Sequence, residues 1–147
     1  MGLVKFRTSG APVLADASFF VALFNDRERG HARCKAAYNS IAGPLFTNEA
    51  CITEALHLLN HAEPAVKAIL ASVQQGALIV AFRLSDCAPE VARLMAKYRD
   101  TPCDFADACL IAMADQLGTG EILTLDSDFM DYRWRRTRRF HLLVPLE

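Results

Sequence analysis

Five short apolar runs, at residues 12–15, 44–47, 77–81, 121–125 and 140–144, are set apart by segments long enough to form helices. No other feature restricts the fold as much. Strands joined by crossovers of about ten residues or more pair in parallel, whereas antiparallel neighbours need only a tight turn. The run Ala77, Leu78, Ile79, Val80, Ala81 holds no polar residue, the pattern of a strand buried on both faces. Helices are predicted over 18–24, 31–41, 48–60, 64–75 and 85–99, and from Thr101 to a stop at Gly118 and Gly120. The expected fold is α/β, a three-layer α/β/α sandwich with a central parallel sheet of about five strands. With 147 residues, 52% of them hydrophobic, the chain can bury one sizeable core, so a single domain over 1–147 is expected.

In such sheets a ligand site lies beyond the carboxyl ends of the strands. Asp16 follows the first run and Asp126 the fourth, so both are carried to one edge. Thr101, Pro102 and Asp104 read as a helix start: the Thr hydroxyl accepts from a free N–H, Pro needs none, and Asp104 lies at the positive end of the macrodipole. Asp107 has no such excuse. It lies one turn further in, among Ala106, Ala108, Leu110 and Ile111, where an ionised carboxylate requires a partner. On the helix 48–60, Glu49, Thr53, His57 and Asn60 form one stripe and Ile52, Ala55, Leu56 and Leu59 the other. Glu54 falls at the border, and Glu49 competes with it for any place beside the aspartates.

Two unit charges of one sign about 4 Å apart repel by roughly 4 kcal/mol at an effective dielectric near 20. A carboxylate cluster must therefore protonate, spread out or bind cations. Oxygen ligands without a matching His or Cys set favour Mg2+ or Mn2+ over zinc, and such an ion is a common means of activating water against a phosphodiester. Arg133, Arg135, Arg136, Arg138 and Arg139, with Trp134 among them, follow directly on Asp126, Asp128 and Asp131. Although the formal net charge is only −1, the two signs are segregated along the chain. The arginine run suits a phosphate backbone; a solvated hairpin pairing with Asp128 and Asp131 is the plain alternative.

Other chemistries are poorly served. The five cysteines (34, 51, 87, 103, 109) show no paired spacing and read as reduced, packed thiols. Of the histidines only His57 and His61 are spaced for a metal, and no third ligand accompanies them. The stripe Phe19, Phe20, Leu23 and Phe24 is core or dimer contact. No apolar run approaches the roughly 20 residues that span a bilayer, and residues 1–10 lack an apolar core of signal-peptide type, so a cytoplasmic location is expected.

Four motifs in order, Val13-Leu14-Ala15-Asp16-Ala17-Ser18, Thr47-Asn48-Glu49 through Glu54, Asp104-Phe105-Ala106-Asp107 and Leu123-Thr124-Leu125-Asp126, resemble the PIN-domain family. Within it, the chain is most similar to the VapC-type toxins of bacterial toxin–antitoxin modules. The resemblance implies a Mg2+- or Mn2+-dependent endoribonuclease with Asp16, Glu54, Asp107 and Asp126 as the acidic positions and Asp104 as an additional acid. Asp16, Asp104, Asp107 and Asp126 would take the metal. Ser18 and Thr124 match hydroxyl positions that would orient Asp16 and Asp126, and the arginines from 133 to 139 would meet the RNA. Cleavage would leave a 5′-phosphate and a 3′-hydroxyl. It further implies a homodimer and a cognate antitoxin whose tail enters the active-site groove. A PIN-like module that binds RNA or protein without cutting, a housekeeping nuclease with no antitoxin, and an α/β phosphotransfer domain with Asp16 as nucleophile are the competing readings.

Overall fold

The computed structural model describes residues 3, 10–101 and 103–147. Except for Leu3 and Gly10, the N-terminal stretch without a signal-type core lies outside the described residues, as does Pro102 of the expected helix start. Strand β1 (Val13–Ala15) leads to helices α1 (Ala17–Phe24) and α2 (His31–Ser40), and β2 (Leu45–Phe46) to α3 (Glu49–Leu58) and α4 (Glu63–Gln74). Then follow β3 (Leu78–Ile79), α5 (Ala88–Lys97), α6 (Phe105–Leu117) and β4 (Glu121–Leu123). A hairpin of β5 (Arg133–Trp134) and β6 (Arg138–Arg139) precedes β7 (His141–Leu142).

The central sheet has five strands in the order β3-β2-β1-β4-β7, every neighbouring pair parallel. The architecture is the three-layer sandwich expected from the run spacing. Because successive strand residues point to opposite faces, Val13 and Ala15 join one core with Phe19, Phe20, Leu23, Tyr38 and Ile69, while Leu14 and Ile122 join a second with Leu94, Leu110, Ile111 and Phe129. The phenylalanine stripe of α1 is thus largely core. All five cysteines are free thiols, four of them buried. Among the described residues no helix is long and apolar enough to cross a membrane.

Helix α6 is buried along its whole middle: every residue from 106 to 114 is enclosed, by the sheet, α3, α5 and the β5 strand. Its stop agrees with the sequence. Gly118 adopts φ 68°, ψ 35°, the left-handed C-cap that side-chain-bearing residues resist. Its start does not. The helix begins at Phe105 with Asp104 as N-cap, accepting from the Asp107 N–H at 2.9 Å, so the cap of α6 is Asp104 and not Thr101.

Two further expectations are corrected. The apolar run at 77–81 contributes the edge strand β3; Ile79 and Val80 are half-buried and Ala81 is exposed, because among the described residues no strand lies beyond β3. The helix expected over 85–99 is split, with a single 3-10 turn at Leu84–Asp86 and α5 starting only at Ala88, just before Pro89. Proline is tolerated in a first helical turn and obstructs the turn before it, so the break falls there.

Candidate active site

Parallel pairing brings the carboxyl ends of β1 and β4 together, and the acids follow them. Asp16, directly after β1, caps α1 and is 4% exposed. Its Oδ1 accepts from the Phe19 N–H at 3.0 Å and the Ser18 hydroxyl at 2.7 Å, and its Oδ2 from the Thr124 hydroxyl at 2.5 Å. Burial nevertheless pushes this carboxyl up to about 6, against the pull of those three donors. Asp107, in the first turn of α6, is pushed further, to about 8, by burial and then by the charges of Asp104, Asp126 and Asp16. Asp126 is raised by burial, with Asp128 and Asp104 adding to it. It caps the short turn Ser127–Met130, accepting from the Asp128 N–H at 2.9 Å.

Glu54 lies on the exposed face of α3, yet partial desolvation and the charges of Asp104 and Asp126 raise its carboxyl. That coupling separates it from Glu49, which begins α3 and borders the hollow formed with Ile52, Thr53, Leu70, Val73 and Val80. Of the two glutamates the sequence left open, Glu54 feels the charges of Asp104 and Asp126. Asp104 is exposed at the mouth of the group, Asp128 is half-buried beside Asp126, and Asp131 is exposed.

The hydroxyls act as a clasp between β1 and β4. Ser18 Oγ, while donating to Asp16, accepts from the Leu125 N–H at 2.9 Å, and Thr124 Oγ1 accepts from the Asp126 N–H at 2.9 Å. Thr124 therefore aims the Asp16 carboxylate and meets Asp126 only through its backbone, which corrects the expectation that it orients the Asp126 side chain. Thr47, fully buried, donates to the Ala15 carbonyl at 2.8 Å and ties β2 to the same edge.

Sequence reasoning missed Tyr132. Its phenol, on a fully buried side chain, donates to Asp107 Oδ2 at 3.2 Å, and its ring packs edge-on against Tyr98 and Phe129 with centroids 5.0 Å away in each case. Its flanking residues Asp131 and Arg133 belong to the charged run that drew attention instead.

The arginines form the hairpin, but they do not ring the acids. Arg135 donates its backbone N–H at 2.5 Å to Asp115, which is eight residues and about 12 Å along the α6 axis from Asp107, and its guanidinium lies over Gly118 at the carboxyl end of the helix. Arg135 and Arg138 stack on Trp134 at 5.4 and 5.2 Å. Arg133 is spent on the carbonyls of Met130, Asp131 and Tyr132. Arg136, Arg138 and Arg139 are exposed along the hairpin.

The donor set suits a hard divalent cation. The acids gathered at the edge offer carboxylate oxygens, and no ion pair among the described residues involves Asp16, Glu54, Asp104, Asp107 or Asp126. Among the described residues, no three acid, His or Cys side chains are gathered tightly enough to enclose a metal by themselves.

Comparison with known proteins adds three findings. The family model described as PIN domain matches residues 13–135. Ribonuclease VapC26 of Mycobacterium tuberculosis is 29% identical over 120 residues, covering 78% of this chain and 86% of that protein. The crystal structure of VapC20 from the same organism, a toxin that cleaves the sarcin-ricin loop, superposes with a TM-score of 0.74 at 22% identity, over 86% of this chain and 98% of that one.

Proposed function

Because this chain belongs to the PIN domain family, we propose that it is a Mg2+- or Mn2+-dependent endoribonuclease, the toxin of a type II toxin–antitoxin pair, working as a single domain. One observation carries the reading. Asp16, Asp107 and Asp126 arrive from three separate segments at one sheet edge, and two of their carboxyls are held so far from the ordinary range that they act as a site awaiting positive charge.

Asp16, Asp107 and Asp126 would hold the ion, with Asp104 at the mouth. Bound there, it would polarise the scissile phosphate and make an attacking water more acidic. Ser18, Thr124 and the Phe19 N–H aim the Asp16 carboxylate and favour its charged form, and Tyr132 does so for one oxygen of Asp107, against the burial that favours the proton on both. Glu54, open to solvent and raised by its neighbours, is suited to take the proton of the attacking water and pass it to bulk. Arg136, Arg138 and Arg139 offer a basic ridge to the RNA backbone away from the cut, with Arg133 and Arg135 bracing it. The products would be a 5′-phosphate and a 3′-hydroxyl. The likeness to VapC toxins supports a cognate antitoxin as inhibitor, a homodimer and a cytoplasmic site of action.

The test is cleavage of single-stranded RNA with Mn2+. Cleavage is expected for the native chain and should fall by at least about 100-fold in Asp16→Ala and in Asp107→Ala, both still cooperatively folded. Cleavage retained in both variants would overturn the assignment.

A further inference from the structure

Phe105 is an aromatic residue placed where packing does not require it. It opens α6 between Asp104 and Asp107, is 41% exposed, and belongs to neither apolar core. Together with Phe82, Leu84, Ala50, Cys109 and the first residues of α3 it lines a cavity of about 190 Å³, into which Leu84 is also 41% exposed. Asn48 in this lining is already committed, accepting from the Cys51 N–H and donating to the Met113 sulfur. Among the described residues that line it, Glu49 alone carries a charged side chain.

Electrostatics then decides what such a slot can hold. An RNA strand at the acid cluster meets Asp104, Asp107, Asp126 and Glu54, which repel its phosphates, while Arg135 at the hairpin tip stands about 12 Å away along α6. A bound divalent ion would hold the scissile phosphate itself, so contact with the neighbouring nucleotide is left to the neutral surface beside the acids. Every base has a π-face, and stacking on an exposed aromatic tolerates nearby negative charge better than a phosphate contact does.

We propose that the slot between Phe82, Leu84 and Phe105 receives one unpaired nucleobase next to the scissile phosphate, stacked on Phe105. The Glu49 carboxylate accepts from the edge of that base, which favours bases carrying an amino group over uracil. This inference rests on the ribonuclease reading and deepens it.

The test uses the full chain with Mn2+ and a random-sequence single-stranded RNA pool, followed by a preferred oligonucleotide carrying an abasic nucleotide at each position in turn. In the native chain the ends of the cut pool should show a bias against uracil at one position beside the cut, and an abasic residue there should raise KM on the order of ten-fold. Phe105→Ala should raise KM on the intact oligonucleotide by a similar factor and lose most of its response to the abasic residue; Phe105→Trp should restore both. Glu49→Gln should relax the bias against uracil. The melting temperature and its rise with Mn2+ should be retained in Phe105→Ala, which shows that fold and metal site are intact. If the native chain cuts no RNA, the ribonuclease reading falls and the slot with it. If it cuts, and Phe105→Ala keeps the native KM and the full abasic penalty, the slot alone is overturned.

Discussion

The carboxyl of Asp107 is caught between opposed influences. Burial and three neighbouring acids favour its proton, and the Tyr132 phenol at 3.2 Å favours the charge. Tyr132→Phe removes that donor while keeping a ring to pack against Tyr98 and Phe129. Since a group that orients a metal-binding carboxylate typically contributes about 10–100-fold in metal affinity, Mn2+ binding should weaken by that factor. The measurement is the melting temperature as a function of Mn2+ concentration, and an unchanged midpoint would count against a positioning role. Asp107 is visible in sequence because an acid among Ala106, Ala108, Leu110 and Ile111 conflicts with its surroundings. Tyr132 is not, because it reaches Asp107 across 25 positions and nothing in its own neighbourhood conflicts with anything. Thr124 shows the same limit: its short distance in sequence to Asp126 suggests a local partner, whereas strand pairing delivers it to Asp16, 108 positions away.

At the scale of elements, α6 connects the cores to the site. Its residues from 106 to 114 are all buried, so the anchor that fixes Asp107 is also the most enclosed part of the molecule. Leu110→Ala, at 0% exposure, should cost about 2–5 kcal/mol through lost burial and the cavity left behind. Urea denaturation of the metal-free protein measures it, and a loss below about 1 kcal/mol would contradict the tight packing described. The existence of each helix was legible from apolar spacing, and the Gly118 stop from its backbone freedom. The start of α6 was misread because Thr101 and Pro102 form a plausible local signal, and the choice among competing caps is made by where the chain can enter the sheet edge. The edge position of β3 was likewise hidden, since strand order is not written in any single apolar run.

For the whole molecule, the acid cluster couples stability to pH and to divalent ions. The folded chain holds protons on Asp16 up to about pH 6 and on Asp107 up to about pH 8, whereas in the unfolded chain both carboxyls lose them near 3.8. Between those values the unfolded state binds fewer protons than the folded one, so the stability of the metal-free protein should fall as pH rises from about 4 to 8. Mn2+ binds the ionised, folded form and should reverse that fall, with its largest effect at the alkaline end. Melting curves from pH 4.5 to 8.5 with and without Mn2+ check both signs; Asp107→Asn should flatten the pH dependence and reduce the response to Mn2+. A metal-free stability that rises over this range would contradict the buried, mutually repelling acids.

Sequence alone determined the layer architecture, because helical crossovers leave parallel pairing as the only economical way to join the apolar runs. It also determined that Asp16 and Asp126 reach one edge of the sheet, because both directly follow parallel strands. Only the tertiary structure decided their partners. The clasp of Ser18 and Thr124 on Asp16, the Tyr132 donor on Asp107 and the placement of the arginine hairpin against the carboxyl half of α6 all depend on the relative rotation and register of packed elements. Those are set by side-chain volumes meeting across the cores, and local periodicity does not encode them.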